Sequence, residues 1–345
     1  MYRGPSQYPV SAQRHGESPE GAAPKRGTGV LCVAITPCLQ RTLLFSGLTL
    51  DAVNRAQRAL LSPGGKAVNA ARTVRALGGR CHIVGFCGAE TGRQLRDLLA
   101  RSDITAELVP MARPTRTCTT LIDDIGGTVT ELVEEAPAPT AAEWQAFEAQ
   151  LQALLPHFEL VLAAGALPPG VSQETYARLA KLAAQYRAAL LLDANGAALT
   201  PALSYAPLLV KLNHLELAAM SQAPLKTNEE LISAARRLAC DGADWVLVTQ
   251  AAAPACLVSK SEAWQFYPPR VRPLNPVGSG DATTGGIAFA LLQRQSMVEA
   301  VRLGIACGSA NATTLTAGEI TATRIAGLVG EVRLQRRDRE SAPPV

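Results

Sequence analysis

Residues 275–292 read NPVGSGDATTGGIAFALL. Gly278, Ser279 and Gly280 make a small-residue turn directly ahead of an apolar helix-forming run, so several backbone N–H groups converge at the positive helix end and can hold negative charge. Asp281 stands at that helix start, either capping the helix or taking a proton from an attacking hydroxyl. Upstream of this helix the chain alternates short apolar runs with amphipathic ones. VLCVAI (30–35) is continuously apolar and β-branched, as buried parallel strands are, and GGKAVNAARTVRALGG (64–79) sets Val68, Ala71, Val74 and Leu77 at helical steps between glycine pairs. CHIVGF (81–86) pairs with ETGRQLRDLLARS (90–102), ELVLAAG (159–165) with SQETYARLAKLAAQY (172–186), ALLLDA (189–194) with a short helix, and LLVKL (208–212) with HLELAAM (214–220). Residues 245–268 hold three strand-like runs, and 281–295 and 296–315 close the chain as helices. This alternation predicts an α/β fold, a doubly wound and mostly parallel sheet with helices on both faces.

Two segments depart from the rhythm. Residues 41–61 and 115–135 are rich in Thr, Val, Leu and Ile, and the second carries a Gly-Gly turn between two strand-like runs. They predict a small β-sheet lid standing over the strand ends where ligands bind in open α/β folds. EEAPAPTAAEW (134–144) reads as a short Ala-rich linker, so one compact domain over residues 29–332 is expected.

The whole chain has 345 residues, 48% apolar and 18% charged, which excludes a disordered protein, and no apolar run is long enough for a membrane helix. The net charge of +4 resides in the tails: residues 1–29 and 333–345 hold 8 of the 33 basic and 4 of the 29 acidic groups, leaving a neutral body. A broad nucleic-acid footprint is therefore not expected. Residues 1–28 and 333–345 read as disordered extensions, the second basic. The eight cysteines show no C-x-x-C pair, as in a reduced cytoplasmic protein.

G-S-G-D before a glycine-containing helix near the C-terminus, with G-G-K-x-x-N opening a helix near the N-terminus, resembles the pfkB (ribokinase-like) family of carbohydrate kinases over nearly all of residues 30–320. TPCLQRT (36–42), AVNRA (52–56), PTRT (114–117), GALPPG (165–170) and KLNHLE (211–216) are similar to its hexose-phosphate kinase branch, which includes 1-phosphofructokinase and tagatose-6-phosphate kinase. The resemblance implies a ribokinase-like fold and ATP- and Mg²⁺-dependent phosphorylation of a phosphorylated ketohexose. It implies Asp281 as base and Gly278, Ser279 and Gly280 as the anion hole. Sugar contacts fall to Gln40, Gly64, Gly65 and Asn69, and cationic phosphate contacts to Lys66 and Arg116. Asn213 and Glu216 would organise Mg²⁺, while Lys211, Thr249, Ala251, Gly280, Ala306, Gly308 and Asn311 would meet the nucleotide. A homodimer through the lid sheet is a further implication.

The chain departs from the family pattern in places. Gln40 stands where an Asp is usual, Ala164-Gly165-Ala166 where Ser-Gly-Ser is, and Cys118 where Asn often is; the loop 249–255 lacks two customary glycines. These departures leave open another hexose phosphate such as fructose 6-phosphate, an unphosphorylated sugar or nucleoside, or a catalytically weak sugar-phosphate sensor.

Overall fold

The computed structural model describes residues 27–194 and 196–337; residues 1–26 and 338–345, on which most of the two tail expectations fall, lie outside the described residues. A ten-stranded sheet is the frame. Its first strands are β1 (Gly27–Ala34), β4 (Arg80–Gly88) and β5 (Thr105–Met111), and a second set follows with β8 (Phe158–Ala164), β9 (Ala189–Asp193), β10 (Leu209–Asn213) and β11 (Trp245–Gln250). All seven run parallel, and β12 (Ala253–Val258), β13 (Ala263–Tyr267) and β14 (Arg333–Arg336) extend the sheet antiparallel. The order β14-β13-β12-β11-β10-β9-β8-β1-β4-β5 reverses direction at β1, the position where open α/β sheets leave a crevice at their strand C-termini.

Alternation along β1 explains the layers. Val30, Cys32 and Ala34 enter one core with α1 (Lys66–Ala76), α2 (Ala89–Arg101), α8 (Ser279–Leu292), α9 (Met297–Ala312) and α10 (Ala322–Val329). Leu31, Val33 and Ile35 enter the other with α3 (Ala141–Leu154), α4 (Thr175–Gln185), α5 (Gly196–Leu199), α6 (His214–Ser221) and α7 (Asn228–Asp241). Helices thus cover both faces, so neither face of β1 meets water.

The expected lid is a separate four-stranded sheet, β3 (Arg58–Gly64), β2 (Cys38–Phe45), β6 (Thr117–Asp123) and β7 (Thr128–Val133) in that order, with β2 and β6 parallel. The Asp123 carboxylate accepts from the Leu48, Ile125 and Gly126 amides, which fixes the β6–β7 turn and ties the neighbouring loop to it.

Two expectations are corrected. Arg333–Arg336 belongs to no tail: it pairs with β13, with Arg333 over the Tyr267 ring and Arg336 over Trp264, so stacking offsets the cost of ordering a basic edge strand. Residues 134–144 are not all linker, because Thr140 closes a capping box with Glu143 and starts α3, whose Phe147 and Leu151 are buried one turn apart. Alanine and proline density hid the helix there.

Candidate active site

Gly278 caps α8 with φ +79°, a conformation glycine adopts without strain, and it has no room for a Cβ because Ala317 lies against it. Asp281, three residues on, caps nothing. Its carboxyl is turned inward and buried, with Oδ2 accepting from Asn69 Nδ2 at 2.8 Å. Burial, then the negative charge of Asp193, push the Asp281 carboxyl up to about 6 against the opposing pull of Lys211, the Asn69 bond and Lys66. A glycine-rich helix start beside a buried carboxyl near neutrality is an arrangement for proton transfer beside an anion, although the expected Ser279 amide is spent within the turn on Pro276 O at 3.1 Å, which leaves Gly278 and Gly280 of the three.

Asp193, at the C-terminal end of β9, binds two of the expected cations. Lys66 Nζ donates to Oδ1 at 2.9 Å and Lys211 Nζ to Oδ2 at 2.8 Å. Burial alone would raise the Asp193 carboxyl, but the charges and hydrogen bonds of Lys211 and Lys66 hold it low. Lys66 is in turn raised: burial pulls it down, and Asp193, Asp281 and Glu216 outweigh that. Lys211 lies over the anion turn, since a Cβ on Gly280 would stand 2.7 Å from its Nζ. Sequence reasoning missed Asp193. The available signal was a charged residue ending the otherwise apolar ALLLDA strand, on the edge where ligands gather.

Asn213 and Glu216 form a capping box: Glu216 N donates to Asn213 Oδ1 at 2.9 Å and Asn213 N to Glu216 Oε2 at 2.8 Å. The other Glu216 oxygen, Oε1, lies 3.7 Å from Lys66 Nζ. Among the described residues no group of three or more His, Cys, Asp and Glu could hold a metal. One carboxylate oxygen near the lysines fits an ion carried mainly by phosphate oxygens and water, as Mg²⁺ usually is.

On the lid side the expected contacts are spent on the lid itself. Gln40 is buried, donating from Nε2 to Thr120 Oγ1 at 2.7 Å, and its Oε1 faces the Cys38 thiol at 3.9 Å. Gly64 is compact because a Cβ would meet Gln40 Cβ and Cys38 Sγ within 3 Å, so its small size serves lid packing first. Gly65 has φ +101° where β3 turns into α1. Arg116 donates Nη2 to Thr36 O at 3.0 Å and Nη1 to Glu134 O at 3.1 Å, so both arms of its fork hold backbone rather than standing beside Lys66 as a phosphate clamp. Asn69 is different: its Oδ1 is buried with no partner, an acceptor suited to a substrate hydroxyl.

On the nucleotide side Thr249 is next to last in β11, with Oγ1 donating to Leu212 O at 3.4 Å, and Ala251 makes the tight β11–β12 turn at φ +50°. Ala306, Gly308 and Asn311 do not line an open pocket. Ala306 is fully buried in the core, Gly308 is pressed against Thr283 and Ser279 of α8, and the Asn311 carboxamide is spent on backbone and Ser279. The small residues of this stretch let α9 approach α8 closely, a packing role that composition alone cannot separate from a pocket wall.

Comparison with known proteins speaks to the fold and the family. Phosphofructokinase-2 from Escherichia coli, in complex with substrates and products, superposes with TM-score 0.81 at 26% identity, covering 88% of this chain and 99% of that one. A possible 1-phosphofructokinase from Thermotoga maritima gives 0.81 at 20% identity over 90% and 99%, and Arabidopsis thaliana ribokinase with ribose and ATP gives 0.69 at 16% over 87% and 98%. The two more distant structures speak for the fold alone. The model of the pfkB family of carbohydrate kinases matches residues 30–324, and with that span the chain belongs to this family of ATP-dependent sugar kinases.

Proposed function

We propose that this kinase transfers the γ-phosphoryl group of ATP to a hydroxyl of a phosphorylated ketohexose, converting fructose 1-phosphate to fructose 1,6-bisphosphate. The observation that carries phosphoryl transfer in this reading is the buried Asp281 carboxyl, raised to about 6 and bonded to Asn69 of the G-G-K helix, at the start of α8; the choice of fructose 1-phosphate follows the resemblance to the hexose-phosphate kinase branch. The acceptor hydroxyl lies between Asp281 and the orphan Oδ1 of Asn69. Its proton passes to the Asp281 carboxylate as its oxygen bonds the γ-phosphorus, and the bond from phosphorus to the ADP oxygen breaks. Amides of Gly278 and Gly280 hold the charge growing on the phosphoryl oxygens, with the Lys211 ammonium beside Gly280 and Ser279 N held in the turn by Pro276 O. Lys66, anchored by Asp193, presents a cation to the substrate phosphate. Mg²⁺ bound with the triphosphate would neutralise β- and γ-phosphate charge, and Glu216 is the carboxylate placed to meet it.

The test is an ADP-release screen over ketohexose phosphates, with Asp281→Asn alongside. Loss of the base should lower kcat roughly 10²–10⁴-fold with the fold intact. Unchanged turnover would remove Asp281 from the role. Because Asp281 acts ionised, kcat/KM should fall as pH drops through about 6. Fructose 6-phosphate is the competing substrate, favoured by the Escherichia coli phosphofructokinase-2 structure in complex with that sugar at 26% identity. The same screen ranks the two.

The lid also supports pairing of two copies. Leu61 and Leu132, 47% and 53% exposed, lie in one cross-strand row with Arg41 and Thr119, on the sheet face opposite Gln40. Apolar area on a small sheet is covered when two lids stack. Sedimentation of Leu61→Asp/Leu132→Asp should show monomer where the parent shows dimer. A cytoplasmic location fits eight free cysteines, most of them buried, and the absence among the described residues of a helix long and apolar enough to cross a membrane.

A further inference from the structure

Asn311 is fully buried on α9, yet its carboxamide makes three hydrogen bonds that leave the helix. Nδ2 donates to Val277 O at 2.9 Å and to Ser279 Oγ at 3.2 Å, and Oδ1 accepts from Gly318 N at 2.7 Å. The first two acceptors belong to the turn that feeds α8; the donor belongs to the segment 316–319 after α9. That segment packs directly on the turn, since Ala317 occupies the space a Cβ on Gly278 would need. Its far side is held by α1. Arg72 donates Nη1 to Ala317 O, and a Cβ on Gly318 would stand 2.7 Å from Arg72 Cβ and 3.2 Å from Asn69 O. Asn275 closes the same frame by donating to Leu315 O at 2.8 Å and accepting from Val277 N at 3.0 Å.

A carboxamide carries two N–H donors and an acceptor in one plane, so Asn311 holds two acceptors and one donor at once, where a hydroxyl has a single hydrogen to give and a methyl has none. Removing it strands a carbonyl and an amide away from water. Around the anion turn the consequence is local: Val277 O and Ser279 Oγ are drawn toward α9 while Ser279 N donates to Pro276 O at 3.1 Å, so the path of the backbone from 276 to 280 is fixed from both sides.

We propose that Asn311 is a positioning residue for phosphoryl transfer, its carboxamide holding the 277–280 turn in its anion-binding shape, with Arg72 bracing the same segment from the helix that carries Asn69. This rests on the assignment of the Gly278 and Gly280 amides to the transferring phosphoryl group. Such a residue acts where phosphoryl charge is greatest. It therefore supports the transition state more than the bound nucleotide.

The experiment compares Asn311→Ala and Arg72→Met with the parent in three measurements: coupled ADP release with MgATP and fructose 1-phosphate, calorimetric binding of the non-hydrolysable analogue AMP-PNP, and binding of MgADP with aluminium fluoride, which mimics the phosphoryl group in flight. Asn311→Ala should lose roughly 10- to 100-fold in kcat, with both KM values and AMP-PNP affinity within about threefold of the parent. Affinity for the aluminium fluoride complex should fall by about the same factor as kcat. Arg72→Met should show the same split on a smaller scale, and it carries the test if Asn311→Ala does not fold. AMP-PNP affinity falling in step with kcat/KM would make Asn311 a nucleotide contact and overturn the proposal, as would an unchanged kcat. If the parent binds AMP-PNP but does not turn over fructose 1-phosphate, the substrate reading fails by itself, and the aluminium fluoride comparison still decides the role of Asn311.

Discussion

The phosphoryl centre and the lid are built from the same kinds of polar side chain, but they use them differently. In the centre polar and charged groups bind one another across the fold: Asn69 donates to Asp281, and Lys66 and Lys211 share Asp193. In the lid Gln40 is tied to Thr120, and Arg116 holds the carbonyls of Thr36 and Glu134. The centre is thus charge-balanced before any substrate arrives, whereas the lid residues maintain the lid's shape and reach a ligand only by exchanging bonds. Chemistry is preorganised in the first region.

Asp193→Asn attacks the contrast where it is strongest. Lys211, with only 6% of its side chain exposed, loses its charge partner, and breaking a buried pair from one side costs roughly 3 kcal/mol. The melting temperature should drop clearly. Asp193 also raises the Asp281 carboxyl, so its neutralisation should move the acid limb of the kcat/KM profile below about 6. A variant with parental melting temperature and pH profile would show that Asp193 is no hub.

Arg116→Ala asks whether the lid arginine is only a frame. Losing its two bonds to backbone carbonyls should cost about 1–2 kcal/mol, read by thermal unfolding. If the guanidinium also exchanges partners for a substrate phosphate, KM for the sugar phosphate rises well beyond KM for ATP. Equal changes in both would confine Arg116 to architecture. The smallest effect is expected at Ala251, where an alanine is held at φ +50°; Ala251→Gly should relieve that turn by less than about 1 kcal/mol and leave turnover of the sugar unchanged. A lower melting temperature would mean that the turn is not strained.

Much of the fold was legible in local pattern. The β-branched runs at 30–35 and 81–86 and the glycine-bounded helix at 64–79 became β1, β4 and α1 because alternation and helical spacing report directly on which faces are buried. Arg333–Arg336 was illegible for the opposite reason: four residues with two charges form a strand only because Tyr267 and Trp264 offer ring faces on the neighbouring edge. The site divides the same way. Asp281 and Asn69 were legible as motif members, but Asn311 suggested a pocket wall and proved to be a buried brace, since nothing in a run of small residues says which way an amide points.

The sequence by itself determined the family, the alternation of strands and helices, and the motif members Asn69, Lys66, Lys211 and Asp281 of the phosphoryl centre, because each is written in spacing over a few residues. Only the tertiary structure decided how those residues are charged and held. Asn69 stands 212 positions from Asp281 and Lys66 stands 127 from Asp193. A carboxyl near neutrality is a property of burial and of neighbours that only the folded sheet brings together.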